Sequence, residues 1–400
     1  MKIAIVTTHK IECGIARFSE ILYKGLSMED EVTIFELPPH ELKKSFGATK
    51  DGADRFISDV CEKLKHFDAV SIQCEYSLFA DSVPISVARI KKILASNPNS
   101  TITFHTIINR GSSADAEFPP IWRWLLSPKS TARHFFHGLR TTMMAKEELK
   151  LFDFIRNSKI KIIVHTETTK SILKHRFRLV NVDCHPLCYT SEAEKTEFDH
   201  TECRQELVDR LQFQPTDRLV GVFGFFGGYK GFDYAIKCIA RLPQEYKLLV
   251  FSGLHPNLIK HSDTSQIDQL IELAKKNKVL NRVFFMGSVD DLSMYRAVAG
   301  VDFSWLPYRE VGQEASAICS EVAELSQRML VSRNFAFVDY MKFKLRKEFE
   351  FVEIGNIEEL RLKTVNYDRF HSVVPGSEPV KNHAELQSDF YRGVLNARAI

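Results

Sequence analysis

The most informative stretch of this chain is Gly221-Val-Phe-Gly-Phe-Phe-Gly-Gly-Tyr-Lys-Gly-Phe-Asp233. It has the pattern of a buried strand (219–223), a glycine-rich turn that carries Lys230, and the start of an amphipathic helix. Such a unit directs backbone N–H groups and the positive end of a helix toward an anion, and Lys230 adds a full charge. The stretch therefore predicts an anion-binding turn in an α/β domain.

A second stretch, Leu306-Pro-Tyr-Arg-Glu-Val-Gly-Gln-Glu-Ala-Ser-Ala-Ile318, repeats this design. A strand ends before Pro307, a polar loop follows, and small residues open a helix near Ser316. Two anion-binding turns in one half of the chain predict a diphosphate as the ligand.

Strand and helix patterns alternate outside these two stretches. Strands are predicted at 3–7, 31–35, 69–73, 101–105 and 160–164, and again at 219–223, 247–251, 283–286 and 301–306, with amphipathic helices between them. Alternation of this kind predicts parallel sheets covered on both faces. The 400 residues also exceed what one hydrophobic core usually covers.

We therefore predict an α/β protein of two facing Rossmann-like, doubly wound domains with the ligand in the cleft between them. The first would span 1–195 and the second 196–380, with the boundary in the polar stretch 190–204. A C-terminal helix within 381–400 would cross back to the first domain.

The composition is that of a globular protein, and a net charge of +3 leaves the class of partner open. Eight scattered cysteines indicate reduced thiols, and no stretch reaches the ~20 apolar residues of a membrane span. These features predict a cytoplasmic protein, with peripheral membrane contact left open.

Five motifs resemble those of the family-4 retaining glycosyltransferases, which have the GT-B fold, and they occur in that family's order over about residues 1–335. They are Cys13-Gly-Ile-Ala-Arg17, Ile72-Gln-Cys-Glu-Tyr-Ser-Leu-Phe79, Thr103-Phe-His-Thr106, and the glycine turn and the polar loop quoted above. The resemblance implies transfer of a sugar, with retention of configuration, from a UDP- or GDP-linked donor to an acceptor hydroxyl. It also implies that no metal or other cofactor takes part.

The resemblance assigns roles to individual residues. His105 would contact the transferred sugar and Lys230 the diphosphate, and these two are the predicted catalytic residues. The other predicted donor ligands approach the phosphates, the base, the sugar or the ribose; they are Gly14, Gly227, Gly228, Val289, Glu310, Gln313, Ser316, Ala317, Ile318 and Glu321. Glu75 is a candidate acceptor ligand.

Three positions depart from the family pattern. Phe225 stands where an arginine is common, Gln313 replaces the first of two paired glutamates, and Ser326-Gln327-Arg328 replaces Gly-Lys-Pro. One cation and one carboxylate are therefore missing. A degenerate, non-catalytic sugar-nucleotide-binding protein is the alternative from another class.

A basic, aromatic insertion at about 110–155 is the candidate acceptor region. No carboxylate occurs from 118 to 146, whereas Arg123, Lys129, Arg133 and Arg140 lie among aromatic residues. Three interpretations stay open: a solvated helical pair, a surface that meets an anionic membrane to reach a lipid-linked sugar, or a groove for nucleic acid. The acceptor is accordingly a glycan, a lipid-linked sugar, or a hydroxylated base of DNA, as in phage-type DNA modification.

Overall fold

A computed structural model describes residues 1–9, 13–43, 47–108, 128–190, 197–253, 264–311, 315–342, 350–367 and 383–397. At 47–49, 128–140, 341–342 and 383 it describes the backbone alone. The chain divides into two compact units. The first comprises Met1–Leu187 and Ala384–Ile400, and the second comprises Cys188–His383.

Unit 1 is built on a six-stranded sheet in which every neighbouring pair is parallel, in the order β2-β1-β3-β4-β5-β6. Its core is apolar because strands β1, β3 and β4 are buried on both faces. The strands are β1 (Lys2–Thr7), β2 (Glu31–Glu36), β3 (Ala69–Cys74), β4 (Ser100–Phe104), β5 (Lys161–Val164) and β6 (Val182–Cys184).

Helices connect or cover these strands in the described part of unit 1. One of them, Gly47–Leu64, carries mostly polar residues in its first turns, so the apolar pattern of the sequence predicts a helix only from 56. The helices are α1 (Gly14–Leu26), α2 (Pro39–Leu42), α3 (Gly47–Leu64), α4 (Val83–Ala95), α5 (Pro128–Ser158), α6 (Glu167–His175) and the C-terminal α14 (His383–Asn396).

Unit 2 has a second six-stranded parallel sheet, in the order β12-β11-β10-β7-β8-β9. Its strands are β7 (Arg218–Phe223), β8 (Tyr246–Phe251), β9 (Val283–Phe285), β10 (Phe303–Leu306), β11 (Met329–Ser332) and β12 (Glu350–Val352). Alternate residues of β7 enter two different core clusters, so both faces of this sheet are covered.

The helices of unit 2 are α7 (His200–Leu211), α8 (Phe232–Ile239), α9 (Ser265–Lys276), α10 (Asp291–Gly300), α11 (Ala317–Leu325), α12 (Phe335–Lys342) and α13 (Ile357–Val365). The predicted boundary stretch 190–204 runs into α7, whose N-terminus is capped by Asp199. No helix in the described part of the chain is long and apolar enough to span a membrane.

The strand order of unit 2 reverses between β7 and β10, and that of unit 1 between β1 and β3. Ligands of open α/β sheets bind outside the carboxyl ends of the strands at such a switch point. In unit 2 this point lies where the two predicted anion-binding stretches begin. The predicted pair of Rossmann-like α/β domains is confirmed.

Candidate functional site

The glycine turn after β7 is held close to the sheet. The Gly224 N–H donates to the Phe251 carbonyl (3.0 Å), and the Phe226 N–H donates to the Gly253 carbonyl (3.0 Å). The chain then makes a short 3-10 turn, Gly228–Lys230, before Gly231 caps α8 with a φ of +71°. A Cβ on Gly231 would lie 1.9 Å from the Pro307 carbonyl oxygen, so this position requires glycine.

The loop after β10 is tied to that turn. The Arg309 N–H donates to the Tyr229 carbonyl (2.7 Å). The Arg309 guanidinium pairs with Asp233 (2.5 Å) and lies 4.4 Å from the centre of the Tyr234 ring. The two predicted phosphate turns therefore lie next to each other at the switch point.

Lys230 is the buried cation of this site, with a side chain only 7% exposed. Its Nζ donates to the Tyr308 hydroxyl and lies 4.2 Å from the centre of that ring and 5.2 Å from the centre of the Tyr229 ring. Burial lowers the pKa of Lys230 to about 7, against the opposing effects of Cys319, Glu321 and Glu310. Among the described residues none forms an ion pair with Lys230, so the amine is suited to an incoming anion.

The N-terminus of α11 faces the same turn. Ser316 caps the helix by accepting a hydrogen bond from the Cys319 N–H (3.1 Å), and Ala317 and Ile318 form its first turn. A Cβ on Gly224 would lie 3.1 Å from Ile318 Cγ1 and 3.3 Å from Lys230 Nζ. The glycine turn, the lysine and the helix N-terminus are thus brought together as a cradle for an anion.

The other predicted donor ligands have different surroundings. Glu321 is buried on α11 (4% exposed), and its charge acts on Lys230. Glu310 and Gly228 are exposed, Gly227 is half-buried, and Val289 is half-buried in the loop before α10. The predicted ligand Gln313 lies outside the described residues.

His105 follows β4 in unit 1 and belongs to a row of imidazoles. Its Nε2 lies 3.0 Å from Gln73 Oε1 and its Nδ1 lies 3.3 Å from His165 Nε2. His165 in turn donates its Nδ1–H to the His185 carbonyl (3.0 Å). Burial lowers the pKa of His165 to about 4 and the pKa of His105 well below its usual range. A neutral His105 has one N–H, so it can donate to Gln73 Oε1 or to His165 Nε2 but not to both.

The remaining predicted residues of unit 1 stay predictions. Gly14 is the exposed first residue of α1, and Glu75 is half-buried directly after β3. Arg123 lies outside the described residues. Lys129, Arg133 and Arg140 lie on α5, where the structure describes the backbone but not these side chains.

One side chain beside Lys230 in unit 2 and one beside His105 in unit 1 were not identified from the sequence. Tyr308 accepts a hydrogen bond from Lys230. The feature of the sequence that could have identified it is an aromatic residue directly after a strand end and a proline. His165 contacts His105, and it follows β5 just as His105 follows β4. Repetition of one residue type at neighbouring strand ends is therefore a usable signal, because those ends share one edge of a parallel sheet.

No family model matches this sequence, and no curated protein matches it. Solved structures do match its fold over almost the whole chain. HepE from Anabaena, in complex with UDP and glucose, superposes with a TM-score of 0.62 at 12% identity and covers 100% of this chain and 97% of its own. The sucrose-phosphate synthase of Thermosynechococcus elongatus gives a TM-score of 0.60 at 13% identity, covering 99% and 94%.

A third structure is a UDP-forming trehalose-phosphate synthase from Burkholderia xenovorans in complex with glucose-6-phosphate. Its TM-score is 0.62 at 10% identity, and the match covers 99% of this chain and 100% of the synthase. At identities this low, the structural matches establish the fold alone, and they do so across both units. The chain has the GT-B fold, as the five sequence motifs predicted.

Proposed function

We propose that this protein is a glycosyltransferase that takes a sugar from a nucleotide-diphosphate sugar. The observation that carries the proposal is Lys230, a buried cation with no ion-pair partner among the described residues. Its amine lies beside the glycine turn after β7 and the N-terminus of α11. A diphosphate held there would satisfy the amine and the backbone N–H groups together.

The proposed chemistry is stabilisation of the leaving nucleotide diphosphate. Negative charge grows on that diphosphate as its bond to the sugar breaks, and the Lys230 ammonium and the N–H groups of Ala317 and Ile318 would meet it. Transfer with retention and without a metal ion belongs to the proposal, and the family resemblance supports both. Full activity in the presence of a chelator is the expected result for metal independence.

A UDP-linked sugar is the proposed donor. HepE has been solved with UDP and with UDP-glucose, and the matching trehalose-phosphate synthase is UDP-forming. The proposed acceptor is a hydroxyl of a glycan or a lipid-linked sugar, with a hydroxylated DNA base as the alternative. A cytoplasmic location with peripheral membrane contact fits these acceptors.

Phe225 favours a second candidate function, namely binding of a sugar nucleotide without catalysis. Its side chain is 45% exposed at the position where the resembling family often has an arginine, so the turn supplies one cation rather than two. A protein that binds a sugar nucleotide without turning it over would tolerate this loss. The two candidates differ in one result, namely turnover of a donor that binds.

Nucleotide release from UDP-, GDP-, ADP- and CMP-sugars tests the proposal, with glycan, lipid-linked and hydroxymethylated DNA acceptors supplied in turn. We expect Lys230→Ala to lower turnover ~100-fold or more, the scale of a lost charge-stabilising contact. Lys275→Ala is the matched control, because Lys275 is half exposed on α9 and pairs with Glu272 of its own helix (2.7 Å). Near-normal turnover in a folded Lys230→Ala protein would refute the assignment, whereas donor binding without any turnover would support the non-catalytic candidate.

A further inference from the structure

The described groups around the Lys230 amine do not neutralise its charge. The Tyr308 hydroxyl bonds it, and the faces of the Tyr308 and Tyr229 rings lie beside it. Glu310 in the following loop and Glu321 on α11 act on it from beyond ion-pair distance. The nearby Cys319 thiol is neutral, since burial raises its pKa well above the usual range. A lysine in such a place holds its proton weakly.

Tyr308 is a partner that fits either protonation state of that amine. A charged amine donates an N–H to the phenol oxygen, whereas a neutral amine accepts the phenol O–H with its lone pair. Burial raises the pKa of Tyr308 well above its usual range, so the phenol keeps its proton. Ser316, which caps α11, opposes this effect of burial on the pKa of Tyr308.

We propose that Tyr308 is the positioning residue for Lys230, and that binding of a donor diphosphate brings one proton from the solvent onto the Lys230 amine. This inference rests on the function proposed above. The proton is released by the buffer and taken up by the amine lone pair, and no other bond is made or broken. Tyr308 keeps the neutral amine at the cradle until the diphosphate supplies the charge that stabilises the ammonium.

The proposal makes donor affinity depend on pH in one direction. Below a pH of about 7 the amine is already charged, so affinity changes little with pH. Above about 7 each bound donor must recruit a proton, and affinity falls about tenfold per pH unit while the bound lysine stays charged. A lysine with an ordinary pKa would show no such dependence in this range.

Titration calorimetry with UDP-glucose counts the protons directly. The titration is run at several pH values from about 6 to about 8.5, in pairs of buffers that differ in their heat of ionisation. Over this range the diphosphate of UDP-glucose does not itself titrate. We expect little uptake at the lowest pH and an approach to one proton per donor at the highest.

Tyr308→Phe tests the positioning role, because it removes the hydroxyl and keeps the ring. The charged amine loses a stronger hydrogen bond than the neutral one, so proton uptake shifts to lower pH. We expect donor affinity to drop about tenfold at a pH of about 8 and to recover at a pH of about 6, which corresponds to a shift of about one pH unit. Tyr246→Phe, a buried tyrosine in the other core cluster, is the control and should leave the profile unchanged.

The outcomes separate the two proposals. Binding of UDP-glucose by the unaltered protein with no proton uptake at any pH would overturn this inference and leave the proposed function standing. Equal weakening by Tyr308→Phe at every pH would overturn the positioning role. Failure of every nucleotide sugar to bind would overturn the proposed function, and this inference with it. The proton count of the unaltered protein tests whether donor binding brings a proton onto Lys230, even if Tyr308→Phe does not fold.

Discussion

At the scale of single residues, Lys230 couples the stability of the protein to its site. Burial lowers the pKa of Lys230 from 10.5 to about 7, so between these values the unfolded chain holds one more proton than the native one. The free energy of unfolding therefore rises with pH across that window, and the full cost of the buried charge is present below about 7. Lys230→Met removes this cost and should raise the free energy of unfolding near pH 6.5 by up to about 5 kcal/mol.

Urea denaturation of Lys230→Met and the unaltered protein checks this prediction at pH values of about 6.5 and about 9.5. The gain should shrink at the higher pH, because the native lysine is then neutral and giving up its proton on folding costs less as the pH approaches 10.5. Lys275→Met, which removes an exposed ion pair, should change stability by less than about 1 kcal/mol. A lower free energy of unfolding for Lys230→Met at the lower pH would contradict the conclusion that the buried charge of Lys230 destabilises the protein.

The residues of the site could be predicted in part from the sequence. The positions of Lys230, Ser316 and the glycines followed from strand–turn–helix chemistry, which is local along the chain. The hydrogen bond between Lys230 and Tyr308 spans 78 residues, and the contact between His105 and His165 spans 60. Contacts of that kind depend on strand order, which no single stretch of sequence specifies.

At the scale of elements, the unit from β7 to α8 depends on Gly231. Its φ of +71° is costly for any residue with a Cβ, and that Cβ would overlap the Pro307 carbonyl. Gly231→Ala should therefore destabilise unit 2 by about 2 kcal/mol or more and weaken donor binding, because the turn must move away from the loop after β10. Thermal unfolding and UDP-glucose binding measure the two effects.

Gly228→Ala is the matched control for stability, since a Cβ at Gly228 has nothing within 4 Å and needs no positive φ. It should change the free energy of unfolding by less than about 0.5 kcal/mol. Equal stabilities for the two alanine variants would show that the turn relaxes freely. The close contact between Gly231 and Pro307 would then not constrain the residue at this position.

The elements themselves followed from the sequence where apolar periodicity was strong. β1, β3, β7 and β8 lie where the alternation placed them, each within one or two residues. Short or polar elements were missed, among them β6, β11 and β12 and the first turns of α3. Three-residue strands such as Val182–Cys184 carry too few positions for a period to appear, and tertiary pairing decides their conformation.

At the scale of the whole molecule, the chain returns to unit 1 after completing unit 2. Helix α14 belongs to unit 1, and Tyr391 on it forms a hydrogen bond with Thr103 on β4 (3.0 Å). The amphipathic pattern of this segment predicted a helix but did not indicate which part of the protein the helix packs against. That partner depends on contacts between residues almost 300 positions apart, so only the family resemblance suggested where the helix would pack.

Lys161 anchors this returning helix. The side chain is 5% exposed, and its Nζ donates to the carbonyls of Val394 (2.7 Å) and Ala397 (2.8 Å) and to Asn99 Oδ1 (2.7 Å). The last carbonyls of a helix have no partner within the helix, so a cation at this end satisfies them. Lys161 thereby ties the final turn of α14 to β5, in the middle of the chain.

Lys161→Ala should therefore release the C-terminal turn. We expect faster amide hydrogen exchange at 390–397 and a loss of about 1–3 kcal/mol in the stability of unit 1, because the helix carbonyls lose buried donors. Exchange in β7 and β8 should stay unchanged, since these strands belong to the other unit. Lys150→Ala, which alters an exposed lysine on α5, is the control and should leave exchange at 390–397 as it is. Unchanged protection of α14 in Lys161→Ala would mean that apolar packing around Tyr391 alone holds the helix, and Lys161 would then have no anchoring role.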